Sequence, residues 1–318
     1  MDLIYTNSNK ADQGVLTAYS FDLSFGASEN DFEIILGADE PPLEPRSFVY
    51  IEGTEYGGIV DGMKASTTGE TVTYLGRTWH GVLNSKVIEP NAGQAYFSVS
   101  GEANSVISEI VSRLGLGDMF TAAEEQSGIS LSRYQFNRYC LGYDGLRAML
   151  AANGAKLKVS FRNRSVYLSA EPVADHSEPT VNGDIATLTV ERHDTKVNHL
   201  VCLGKGELTE REVVHLYADQ FGRIGDTQYY RGLEEVSAVY DNSNTDDLRK
   251  DGVAKLTELR DNDKADISIP ETDGIVYDIG DIVGANEQKS GVKVTSAVSQ
   301  KIVKINNGVI KTEYKVGS

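Results

Sequence analysis

Apolar and polar side chains alternate with a period of two through much of the stretch from residue 1 to 93. Tyr19, Phe21, Leu23 and Phe25 are interleaved with Ser20, Asp22 and Ser24, the spacing of a strand with one buried face. Segments 32–36, 48–52, 56–61 and 72–77 are also read as strands, and Pro41, Pro42 and Pro45 mark a loop between the first two of them. Gly57 and Gly58 permit a bend or bulge. Five or six short strands so spaced predict a small barrel or sandwich.

The period changes between residues 94 and 172. Val106, Ile107, Ile110, Val111 and Leu114 form one helical stripe, with Asn104 as the expected cap and Gly115 and Gly117 as the stop. A second helix is expected over residues 143–153, with Leu146, Met149 and Leu150 on one face and Gly154 ending it. Leu157, Val159 and Phe161 then alternate, a turn follows at Asn163, and residues 166–168 return as a strand. Together these predict a small α/β domain closed by Glu171-Pro172.

Residues 173–318 revert to β patterning. Strands are expected over 185–192 and 198–203. The pattern breaks between about 205 and 265, where a short apolar run at 213–217 precedes a helix opened by Asp246 and bearing Leu248, Val253, Leu256 and Leu259. Strand signals resume at 265–269, so this stretch reads as an insertion. From Ile275 onward the chain is a string of short strands ending in a hairpin at Asn307-Gly308, a pair that tolerates positive φ. The fold class expected is α+β, mainly β, and no repeat of fixed period indicates a solenoid.

Candidate chemistry alters this picture little. His80, His176, His193, His199 and His215 show no metal-ligand spacing; the closest pair, His193 and His199, are six apart. The oxygen-rich run at 241–247 lacks the glycine and the terminal glutamate of a calcium loop, with Asp246 and Gly252 standing at those places. It reads as an exposed turn before a helix. Gly204-Lys205-Gly206 and Gly222-Arg223-Ile224-Gly225 lack the phosphate-loop pattern. Glu124-Glu125 and Glu234-Glu235 are adjacent, and adjacent side chains on a strand face opposite ways, so neither makes an acid pair. Trp79 reads as a core anchor, and Cys140 and Cys202 as buried small hydrophobes. No catalytic, cofactor-binding or metal-ligating residues are assigned, and no enzyme is expected.

The chain has 318 residues, 40% apolar and 24% charged, which suits two or three globular domains. No stretch approaches the ~20 apolar residues of a membrane helix, and the first residues lack a secretory leader, so synthesis in the cytoplasm is expected. The formal charge of −17 argues against binding a phosphate backbone and hence against sequence-specific nucleic-acid binding.

Four stretches carry a resemblance. They are Thr54-Glu55-Tyr56-Gly57-Gly58-Ile59-Val60-Asp61; Tyr74-Leu75-Gly76-Arg77-Thr78-Trp79-His80-Gly81-Val82-Leu83 with Lys86-Val87-Ile88; Leu216-Tyr217-Ala218-Asp219, continuing to Gln228-Tyr229-Tyr230-Arg231-Gly232-Leu233-Glu234-Glu235 and Val239-Tyr240-Asp241; and Tyr277-Asp278-Ile279-Gly280-Asp281-Ile282-Val283-Gly284 with Lys301-Ile302-Val303-Lys304-Ile305-Asn306-Asn307-Gly308-Val309-Ile310. In these the sequence resembles the baseplate hub proteins of contractile-tailed bacteriophages and phage-derived particles such as prophage tails and tailocins. The resemblance implies two tube-forming antiparallel β-barrel domains, 1–93 and 173–318, the latter carrying the insertion, beside the α/β domain of 94–172. It implies a structural homotrimer that adapts a sixfold tail tube to a threefold central spike. Its implied partners are the tube or tube-initiator protein, the spike, the baseplate wedge proteins and a tape-measure protein, in a particle assembled in the host bacterium. Carboxylates lining the ring's lumen would then account for the acidic charge. The alternative is a tail-associated, peptidoglycan-degrading hydrolase, for which the ten residues after Gly308 leave no room.

Overall fold

The computed structural model describes residues 1–37, 39–66, 70–182, 187–191, 196–243, 247–260, 264–270, 276–287 and 292–317. The fold is α+β and mainly β, with four α-helices, Trp79–Asn84, Ala103–Arg113, Gly142–Ala151 and Leu248–Arg260, among the described residues. The chain forms two compact units, Met1–Leu188 with Asp266–Ser318, and Thr189–Ala265.

The main sheet of the larger unit joins strands from both ends of the chain. Its order runs Thr187–Glu191, Lys264–Pro270, Val309–Val316, Val292–Asn306, Tyr19–Gly26, Asp31–Gly37, Thr71–Thr78, Gly57–Ala65, Phe48–Tyr50, Leu3–Thr6 and Asp12–Leu16, antiparallel at every pair from Lys264–Pro270 onward. The expected alternation is visible in the burial. Tyr19, Phe21, Leu23 and Phe25 are buried, and so are Phe32, Ile34 and Leu36 of the next strand. Their shared core also takes Leu3 and Leu16 from one end of this order and Val303 and Ile305 from near the other. The sheet therefore curls around one apolar filling. Among the described residues its strand path stays open at both ends, so hydrogen bonding closes no barrel.

The hairpin at residues 307–308 forms as its residues dictate. Asn307 has φ 49° and Gly308 φ 83°, and Asn306 pairs with Val309 across the turn. A parallel pairing, Asp175–Asn182 with Ile282–Glu287, lies beside this region.

A second core runs from Phe48, Tyr50 and Trp79 into the helices Ala103–Arg113 and Gly142–Ala151 and the hairpin Ala155–Arg162 with Ser165–Pro172. Trp79 is fully buried and stacks on Phe161 with centroids 4.8 Å apart. The expected cap of the first of these helices is displaced. Glu102 caps it, accepting from Ser105 N–H at 2.9 Å. Asn104 is instead buried and ties two segments, donating to the Glu125 carbonyl at 2.7 Å and accepting from Ala170 N–H at 2.8 Å. Tertiary partners outbid the local preference of asparagine for a cap.

In the smaller unit four strands, Ile224–Gly225, Val213–Ala218, His199–Leu203 and Ser237–Asp241, form one sheet. The helix Leu248–Arg260 packs on one face, burying Leu200, Cys202, Leu216 and Ala218 against Leu248 and Leu256. A Cβ at Gly252 would lie 2.5 Å from Cys202 Sγ, so glycine permits this close approach. Asp247 Oδ1 accepts from Lys250 N–H at 3.0 Å and caps the helix. The expected cap Asp246 lies outside the described residues, as do Asn244, Thr245, His193, Ile275 and parts of the strand expected at 185–192.

Candidate functional site

The place where the two ends of the chain meet is a heavily built polar feature of the larger unit. Residues 300–306 pair antiparallel with residues 20–26. Tyr19 N–H donates to Asn307 Oδ1 at 2.9 Å, and Asn307 N–H returns a bond to the Tyr19 carbonyl at 3.1 Å. The buried Gln300 amide is satisfied at both ends: Nε2 donates to Ser24 Oγ at 2.6 Å, and Oε1 accepts from Ser28 Oγ at 2.9 Å. Gly26, at φ 143°, has no room for a side chain, since a Cβ would lie 2.3 Å from the Ser299 carbonyl oxygen.

Two ionic clusters flank this seam. Lys301, only 2% exposed, places its Nζ 2.7 Å from Glu55 Oε1. His80 Nε2 stands 3.6 Å from Glu55 Oε2, and its ring stacks on Phe25 at 4.5 Å. Burial alone would push the Glu55 carboxyl up; the Lys301 ammonium, helped by His80, holds it down to about 2. Burial works against the Lys301 ammonium, and the Glu55 charge overcomes it, so that pKa is raised.

In the second cluster Lys156 Nζ donates to Asp281 Oδ1 at 2.7 Å and to Asp278 Oδ2 at 3.0 Å, and Lys158 Nζ donates to Asp278 Oδ2 at 2.7 Å. Asp281 also accepts from the Ala174 and Asp278 amides at 2.9 Å, so its carboxylate is saturated. Burial would raise Asp278; the two lysines lower it. Gly280, at φ 100°, makes the turn that brings both aspartates to these lysines. These clusters explain two of the quoted stretches. Thr54-Glu55-Tyr56 and the run from Tyr277 to Gly284 supply their carboxylates, a role their spacing alone did not reveal.

The solvated face of the main sheet carries both signs. Lys311, Lys304, Asp22 and Glu33 stand opposite one another in register across four strands, two basic then two acidic.

In the smaller unit the strand pairing gathers residues that are distant in sequence. His199 Nδ1 donates to Glu235 Oε1 at 2.6 Å, and His199 Nε2 meets His215 Nδ1 at 2.8 Å. Tyr217 stacks on His199 at 4.5 Å. The two imidazole centroids are 5.1 Å apart, so the nitrogens meet nearly head-on. That geometry is a hydrogen bond and leaves no space for a metal between them. Among the described residues no group of three or more His, Cys, Asp or Glu is placed to hold a metal ion. The Glu234 backbone carbonyl accepts from Asn198 Nδ2 at 2.8 Å.

Described residues of the larger unit line cavities, among them the following two. One of about 520 Å³ is bordered by Glu55, Lys301, Lys158 and Asp278, whose charges are already matched to one another. The other, about 710 Å³, runs beside the helix Gly142–Ala151 and is walled mostly by small and apolar residues.

No protein-family model matches the sequence, and neither does any curated protein. Solved structures do match, and phage tail proteins are among them. The 43 kDa tail protein of prophage MuSo2 from Shewanella oneidensis is 12% identical, with a TM-score of 0.54 over 99% of this chain and 98% of that one. The prophage tail protein gp18 from Listeria monocytogenes is 14% identical, with a TM-score of 0.54 over 99% of this chain and 94% of that one. A chain of the phage P2 baseplate in its activated conformation with Ca is 9% identical, with a TM-score of 0.53 over 99% and 98%. The chain thus shares, over its whole length, the fold of phage tail and baseplate proteins.

Proposed function

We propose that this chain is a structural baseplate hub of a contractile phage-like tail. In this reading three copies form a ring between the sixfold tail tube and the threefold central spike. Each copy contributes two barrel-like β modules, one from each end of the chain, so that a trimer offers six modules to the tube. The observation that carries the reading is the seven-residue ladder between residues 20–26 and 300–306. It sets the two β-rich ends edge to edge in one sheet, as a hub built of paired modules requires. The core shared by strands from both ends makes the two modules joined parts of one curled sheet rather than separate closed barrels. The shared fold with tail and baseplate proteins supports the location in a particle. The partners would be the tube or tube-initiator protein, the spike, the wedge proteins and a tape-measure protein, and the role is architectural rather than catalytic.

If the solvated sheet face lines the ring's lumen, each copy presents a basic stave beside an acidic one. The experiment is an electron cryomicroscopy reconstruction of the particle that contains this chain. Three copies between tube and spike are expected; a position elsewhere, or a copy number other than three, refutes the hub.

A further inference from the structure

The two-residue strands Val87–Ile88 and Cys140–Leu141 pair antiparallel, with Leu141 opposite Val87. Ile88 is buried, whereas Val87 and Leu141 are each 41% exposed. Tyr139 precedes them at φ 57° with 56% of its surface exposed. The left-handed region is strained for a bulky aromatic residue, and an exposed ring recovers little of that strain by burial. Arg138 lies over this ring, 5.2 Å from its centroid, and Lys86 is exposed beside Val87. Glu89, also exposed, is the nearest carboxylate along the chain. Tyrosine, arginine and two aliphatic side chains together at a surface have the composition of an interface anchor.

The charge distribution indicates what such an anchor would meet. Residues 94–172 contain eight Lys and Arg against seven Asp and Glu. Residues 1–93 contain five against fourteen, and residues 173–318 seventeen against twenty-six. Arg138, Tyr139 and Leu141 thus belong to the one part of the chain that is not acidic, Val87 joining them by strand pairing from residues 1–93, and the chain's β-rich parts offer the complementary sign. A cyclic ring needs two different, mutually complementary patches on each copy, because its contacts are head-to-tail.

We propose that Val87, Arg138, Tyr139 and Leu141 dock on an acidic surface of the β-rich part of a second copy of this chain. The inference rests on the ring reading above and names one face of its contact. Four side chains fall well short of the ~800 Å² per partner that stable complexes bury, so the contact is weak in the free chain and is reinforced where the ring closes.

The test places a photoreactive p-benzoylphenylalanine at Tyr139 in the full chain. Irradiation at rising protein concentration is expected to give inter-chain adducts that map by mass spectrometry to residues 1–93 or 173–318. Their yield is expected to fall several-fold between about 0.05 M and about 0.5 M salt, as screening shortens the reach of surface charge. Arg138→Glu, at an exposed position, is expected to lower the yield similarly. Absence of adducts at every concentration overturns the proposal, as do adducts within residues 94–172 or a yield indifferent to salt. If imaging of the particle still finds three copies between tube and spike, only this inference falls.

Discussion

A lysine ammonium is held out of water at position 301 because Glu55 stands 2.7 Å from it. Removing one partner leaves the other buried without compensation, which typically costs about 3–5 kcal/mol. Lys301→Met is therefore expected to lower the stability of the larger unit by that order in chemical denaturation, and the double variant Lys301→Met with Glu55→Leu by clearly less. Glu55 also fixes a pH dependence. Its carboxyl is held at about 2 in the folded chain, against roughly 4.3 when unfolded. Its contribution is complete above the unfolded value and is lost as pH falls toward 2. An acid titration of stability should show this loss in the parent chain and a smaller one in Glu55→Gln. Single residues were unevenly legible from sequence. Trp79 was readable as a core anchor, because one aromatic without neighbours rarely defines a ligand site. Lys301 was not, since a lysine in an alternating strand reads as solvated until its partner 246 positions away is known. His199 and His215 escaped for the same reason: strand register, not spacing, puts them 2.8 Å apart.

Among elements, strands and helices show themselves by period, and their partners do not. Alternation at residues 19–25 marks a buried face, and Asn307-Gly308 marks a hairpin, both from local rules. Nothing local says that the strand Tyr19–Gly26 lies between Asp31–Gly37 and Val292–Asn306. Gly26 is the residue that lets that union form. Gly26→Ala meets both a forbidden φ and a backbone oxygen at 2.3 Å. It is expected to cost ~2–3 kcal/mol, near the upper end for ordinary point changes, read as a lowered melting temperature. Gly37→Ala, where a Cβ meets nothing within 4 Å, is the control and should change little. The charge row gives a milder prediction. Lys304→Glu sets a carboxylate opposite Asp22 and should cost up to ~1 kcal/mol at low salt, with the loss shrinking as salt is added.

For the whole molecule, the two units differ in the depth of their cores. Among the described residues Thr189–Ala265 buries Leu200, Cys202, Leu216, Ala218, Leu248 and Leu256 in its cluster, a small core for a unit of its length. Differential scanning calorimetry is expected to show two transitions, with the lower one assigned to this unit by Leu256→Ala, which should shift it alone. A single transition that moves as one body would contradict this.

The larger unit has a different property, born of a contact between residues 288 positions apart. Its polypeptide leaves, wanders through another body, and comes back to finish the sheet it began. Cut by a protease anywhere in Thr189–Ala265, the severed pieces should still travel together through a gel-filtration column and part only in denaturant.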